Sequence, residues 1–118
     1  MFKYLNMNPN MLDTDDCTAR AVSCLENISW SDAYKKLSNF ARKNGLMMNN
    51  VESIEAYLDS FYDRVPIEEE TVGEFIDNHR IGKYAITMPN HITALVNGVN
   101  YDTFDSSQKE IWDAWLIE

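Results

Sequence analysis

The apolar residues of this 118-residue chain change their spacing once. Up to about residue 78 they recur every three or four positions, the period of a helix. From Lys83 onward they alternate, the period of a strand. Between two of the alternating runs stands Asn97-Gly98, the strongest short hairpin signal a sequence can carry. A helical front followed by a strand-rich back predicts an α+β fold, with N-terminal helices packed on a C-terminal antiparallel sheet. There is no internal repeat and no low-complexity linker, so residues 1–118 are expected to form one domain.

Four helices are expected. Asp16 is a natural N-cap for the first, Cys17 to about Glu26, with Ala21, Val22 and Leu25 on its inner face and Asn27 as its stop. Ser29 and Asp32 form a capping box for the second, Trp30 to about Lys43, which Gly45 ends. Asn50 is placed to cap the third, Val51 to about Phe61. Thr71 and Glu74 make another capping box for a short helix, Val72 to about Asn78. Residues 1–16 read as an irregular arm with turn chemistry at Asn8-Pro9-Asn10. Strands are expected over Lys83 to Met88, His91 to Val96, Val99 to Phe104 and Glu110 to Ile117.

Composition narrows the function classes. Hydrophobic residues make up 45% and charged residues 25%, the mix of an ordinary packed domain. Three Trp, six Tyr and five Phe exclude a disordered acidic tail. The net charge of −9 argues against direct binding of nucleic acid. No apolar stretch approaches the length of a membrane span, so no membrane partner is expected. The opening MFKYLNMNPN has no apolar h-region, so a cytoplasmic protein with reduced thiols is expected. The two cysteines lack metal-ligand spacing, and neither a metal nor a cofactor is implied. The acidity is uneven: residues 1–59 carry 8 acids and 6 bases, residues 60–118 carry 11 and 4. Glu68-Glu69-Glu70, Glu74 and Asp77 form either a solvated face or a surface that docks on a basic partner.

The residues that point to chemistry are a cysteine and a histidine. Cys17 opens the first helix, where the helix dipole lowers a thiol's pKa and a free N–H faces outward. His91 opens a strand after Pro89-Asn90, and imidazole is the usual base for such a thiol. The hairpin register adds a third group. With a two-residue turn at Asn97-Gly98, Val96 faces Val99 and Thr93 faces Asp102. Asp102 then lies on the His91 face, diagonally adjacent, within reach of the imidazole. Asp105 has the opposite parity and could replace it only through a bulge. Cys24, seven residues after Cys17, reads as core. His79 reads as a helix C-terminal group, Arg20 as an ion-pair partner of the acids around Asp13 to Asp16, and Trp30, Trp112 and Trp115 as core or sheet cover.

These segments resemble a known group. Asn8-Pro9-Asn10, Asp16-Cys17-Thr18-Ala19-Arg20-Ala21 and Ile28-Ser29-Trp30-Ser31-Asp32-Ala33-Tyr34 are similar to small papain-fold proteins common in bacteriophages and prophages. So are Gly82-Lys83-Tyr84, the run from His91 to Gly98, and Tyr101-Asp102-Thr103-Phe104-Asp105-Ser106. Papain-like and bacteriocin-processing peptidases belong to the same group. The resemblance implies a minimal papain-like fold with Cys17 as nucleophile, His91 as base and Asp102 as orienter. It also implies an upstream polar side chain in the oxyanion hole, Asn10 or else Asn8. Relatives usually carry a glycine or another small residue beside the catalytic groups, whereas here Asn90 precedes His91. The implied function is that of a phage-type cysteine peptidase or amidase acting on a protein or peptide, in the host cytoplasm if phage-encoded. The alternative is an inactive copy of the fold that binds and inhibits a host protein through its acidic region.

Overall fold

The computed structural model describes all 118 residues, as four helices and a mixed six-stranded sheet. The helices are α1 (Cys17–Glu26), α2 (Trp30–Lys43), α3 (Val51–Phe61) and α4 (Val72–Asn78). The strands are β1 (Phe2–Tyr4), β2 (Asp63–Arg64), β3 (Lys83–Met88), β4 (His91–Val96), β5 (Val99–Asp102) and β6 (Asp113–Leu116). They lie in the order β1-β5-β4-β3-β6-β2. No helix is long and apolar enough to cross a membrane.

Local chemistry explains most of these boundaries. The Ser29 side chain accepts from Asp32 N–H at the start of α2, and Thr71 accepts from Glu74 N–H at the start of α4. Asn27 ends α1 at φ 55°, the left-handed stop that Asn tolerates better than most residues. Asn97 and Gly98 both have positive φ, as the tight hairpin turn requires. The β3–β4 turn is of a different kind. Pro89 presets a negative φ and Asn90 sits at φ 58°, the pattern of a type II turn with Met88 paired to His91. Asn at position 90 thus does what a glycine does there.

The sheet has a core on each face. One core joins Ala19, Val22 and Leu25 of α1, Leu37 of α2 and Tyr57 and Leu58 of α3 to Ala85, Ile92, Ala94 and Trp115. The other joins Val72, Phe75 and Ile76 of α4 to Ile86, Met88, Leu95 and Ala114. Alternate residues of β3, β4 and β6 therefore point to opposite cores, so the central strands are buried nearly throughout. Gly73 allows α4 to approach the following loop: a Cβ there would meet Ser107 O at 2.9 Å.

Three expectations are corrected. The sheet is mixed rather than antiparallel, because β1 pairs in parallel with β5. Three residues are too few to show an alternation, so this part of the arm gave no strand signal. The strand from Val99 stops at Asp102 rather than Phe104, because Thr103 N–H turns to the Asp102 carboxylate at 2.7 Å. The last strand is likewise shorter than its alternating pattern.

Candidate active site

The start of α1 is arranged unusually. Its first N–H groups have no partner within the helix, and the first helical bond runs from Arg20 N–H to Asp16 O at 2.9 Å. Asp16 stands at the N-cap, yet its side chain caps nothing. Oδ1 accepts Arg20 Nη1 at 2.7 Å, while Oδ2 accepts Asn8 Nδ2 at 3.0 Å and Trp30 Nε1 at 2.9 Å. Arg20 also reaches Asp13, at 2.9 Å. This buried knot ties the arm, α1 and α2 together. It leaves the positive end of the helix to Cys17, the first residue of α1.

His91 opens β4 directly after the Pro89-Asn90 turn. Its Nε2 lies 2.6 Å from Asp102 Oδ2. The Cys17 thiol lies beside the imidazole at the same cleft, near enough for each to shift the other's pKa. With Nε2 held by Asp102, Nδ1 is the nitrogen left for the sulfur. The Phe104 ring packs against the imidazole with centroids 4.7 Å apart. Asp102 is reached through the register read from the Asn97-Gly98 turn: Val96 pairs with Val99, Leu95 with Asn100, and Ala94 with Tyr101. Leu5 N–H of the arm donates to Asp102 O at 2.9 Å and holds the end of β5 from outside.

The charges reinforce one another. Burial works against ionisation of all three groups, but their mutual bonds outweigh it. The Cys17 thiol is pulled below its ordinary pKa by His91 and by the backbone N–H of Ile92. His91 is pushed up to about 9 by Asp102 and Cys17. Asp102 is held below the usual carboxylate range by His91, Thr93 and Thr103 N–H. Each of the three shifts favours the charged form of its group. Cys24 goes the other way, since burial pushes its thiol up.

A cleft of about 440 Å³ opens in front of Cys17 and His91. Val51, Ile54, Met88 and Trp112 give it an apolar wall, and Asp15, Thr18 and Asn90 lie among its polar residues. Its volume falls in the range of small-ligand sites. No lysine or arginine lines it. A gap of only about 10 Å³ lies on the other side of Cys17, toward Cys24 and Asp102. It has room for about one water and none for a substrate.

The structure thus brings Cys17, His91 and Asp102 together and leaves Asn10 apart. Asn10 is exposed on the arm, and its backbone N–H donates to Asn8 Oδ1 at 2.9 Å. Asn8 is buried, with its amide turned to Asp16. Neither lines the cleft. Asp105 is exposed and accepts from Ser107 N–H at 2.9 Å. His79 stacks on Phe75 with centroids 3.8 Å apart. Trp115 is core, whereas Trp112, just before β6, is 46% exposed at the cleft wall. The opposite parity of the two in the alternating run is the sequence signal that separates them. No known protein family, curated protein or solved structure matches the chain.

Proposed function

We propose that this chain is a small cysteine hydrolase of the papain-like type, acting on an amide or isopeptide bond in a protein or peptide. The observation that carries the proposal is an imidazole held by a buried carboxylate at 2.6 Å and sharing one cleft with a helix-start thiol. Asp102 fixes the ring and favours its protonated form. Cys17, as thiolate, attacks the carbonyl carbon. The electron pair moves to the carbonyl oxygen, which develops its charge in front of the helix start, where the Cys17 N–H points. Collapse of this tetrahedral species expels the amine, and His91 supplies its proton. Water then attacks the thioester with His91 as base, releasing the acid and restoring the thiol. In this account the backbone N–H takes the part assigned by resemblance to Asn10.

The cleft supports the choice of substrate. Its apolar wall suits a bulky uncharged side chain beside the scissile bond, and Asp15 with the overall charge of −9 disfavours polyanions. The test is hydrolysis of a mixed peptide library by the wild type and by Cys17→Ala. The proposal requires cleavage products with the wild type that are missing with the variant. Equal product patterns would remove it and favour the binding reading, in which the exposed Glu68, Glu70, Glu74 and Asp77 meet a basic host protein.

A further inference from the structure

Behind Asp102 lies a second tier of polar groups that the reaction does not use. Thr93 Oγ1 donates to Asp102 Oδ2 at 2.6 Å, the same oxygen that accepts from His91. Asn100 Nδ2 in turn donates to Thr93 Oγ1 at 2.8 Å and to Ala94 O at 3.0 Å. Thr93 and Asn100 are each 1% exposed, in the middle of the sheet. A hydroxyl has one proton, and Asn100 decides where it goes. Because the amide occupies the acceptor side of Oγ1, the hydroxyl proton is directed at Asp102. A neutral β-branched residue such as Val fills the same space in a strand interior without needing a partner. The polar pair therefore needs a reason beyond packing.

We propose that Thr93 and Asn100 are positioning residues of the site: Asn100 directs the Thr93 hydroxyl, and that hydroxyl holds the Asp102 carboxylate in place and ionised under His91. The inference rests on the hydrolase reading and extends it to a device that keeps the thiolate–imidazolium pair intact in mild acid. The groups facing Asp102 are His91 of β4, Cys17, Arg20 and Cys24 of α1, and Asp13 of the arm, which reaches it through Thr103. Arg20 is occupied by Asp13 and Asp16. Removing the Thr93 donor leaves the carboxylate less stabilised, so it takes up a proton at higher pH. The imidazolium then loses its counter-charge, and the thiolate loses the imidazolium.

The experiment follows alkylation of Cys17 by iodoacetamide from about pH 3 to about pH 9, with a carboxyl NMR titration of Asp102 alongside. Wild type, Thr93→Val, Thr93→Ser and Asn100→Ala are compared. In Thr93→Val both acid midpoints rise by about half to one pH unit, Thr93→Ser restores them, and Asn100→Ala shifts them the same way by less. A hydroxyl that only fills space would lower stability and leave the midpoints in place. Unchanged midpoints in Thr93→Val overturn the inference, and Asn100→Ala decides alone where Thr93→Val fails to fold. A wild type with no reactive thiolate at any acidic or neutral pH overturns the hydrolase reading and this inference with it. A wild type with a reactive thiolate and unmoved variants overturns this inference only.

Discussion

The Asp16 carboxylate takes the Arg20 guanidinium at 2.7 Å instead of capping the helix that it precedes. A capping carboxylate would bring a negative charge to the N–H groups at the start of α1 and oppose a thiolate there. Turned aside, it stabilises the arm while the helix end stays positive. Asp16→Ala should therefore loosen the arm and leave Arg20 with Asp13 alone. Loss of about 3 kcal/mol of stability is expected, the scale for breaking a buried ion pair, measurable by urea unfolding. A change below about 0.5 kcal/mol would mean that the knot is not structural.

Asp102→Asn keeps the shape of the third group and removes its charge. The imidazolium loses its main support, so the pKa of His91 falls well below about 9. Alkylation of Cys17 at neutral pH should slow roughly tenfold or more, since each unit of pKa is a factor of ten. Asp105→Asn, on an exposed carboxylate bonded to Ser107, should leave the rate unchanged. Mass spectrometry of the Cys17 peptide reads both.

Stability should follow pH through His91. Its pKa in the folded protein is raised to about 9, above its ordinary value of 6.5. The stabilisation is therefore full below 6.5 and is lost as pH rises toward about 9. Asp102 has the opposite sign. Its folded pKa is lowered, so its contribution is present above its ordinary value of 3.8 and lost as pH falls below it. Unfolding of wild type and His91→Gln at a series of pH values checks the first window: the difference between them must shrink on the alkaline side.

A second buried knot carries no chemistry and marks a structural contrast. The Glu26 carboxylate accepts Tyr57 OH at 2.7 Å and Tyr62 OH at 2.8 Å, and it also pairs with Lys36. It joins the end of α1 to α2 and α3, on the far side of α1 from Cys17. Glu26→Ala should cost about 2–3 kcal/mol, with two tyrosine hydroxyls left unpaired, while Cys17 keeps its alkylation rate. A slowed Cys17 would show that the knot also sets the helix position.

The legible part of the molecule is the part with a period or a turn rule. The four helices announce themselves through apolar spacing and caps at Ser29 and Thr71. Asn97-Gly98 sets a register that carries Asp102 to the His91 side. What stays hidden has no local signal. β1 is three residues long and exists because Asn100, Tyr101 and Asp102 offer it an edge. The behaviour of Asp16 depends on Arg20, Trp30 and Asn8, whose approach only the packing decides. Asn10 fails to reach the cleft because the Pro9-Asn10 turn carries it outward. Thr93 and Asn100 look like ordinary strand residues until the register places them beneath the carboxylate.

The central claim is that Cys17 and His91 form a thiolate–imidazolium pair. The pH dependence of Cys17 alkylation in the wild type tests it most directly, with Cys24 in the same molecule as internal control. The account predicts a rate for Cys17 that is already high in mild acid and stays level until His91 loses its proton near about 9. Cys24 should remain slow, its thiol held neutral by burial. A Cys17 rate that climbs about tenfold per pH unit toward an ordinary thiol pKa, in step with a free cysteine, would contradict it.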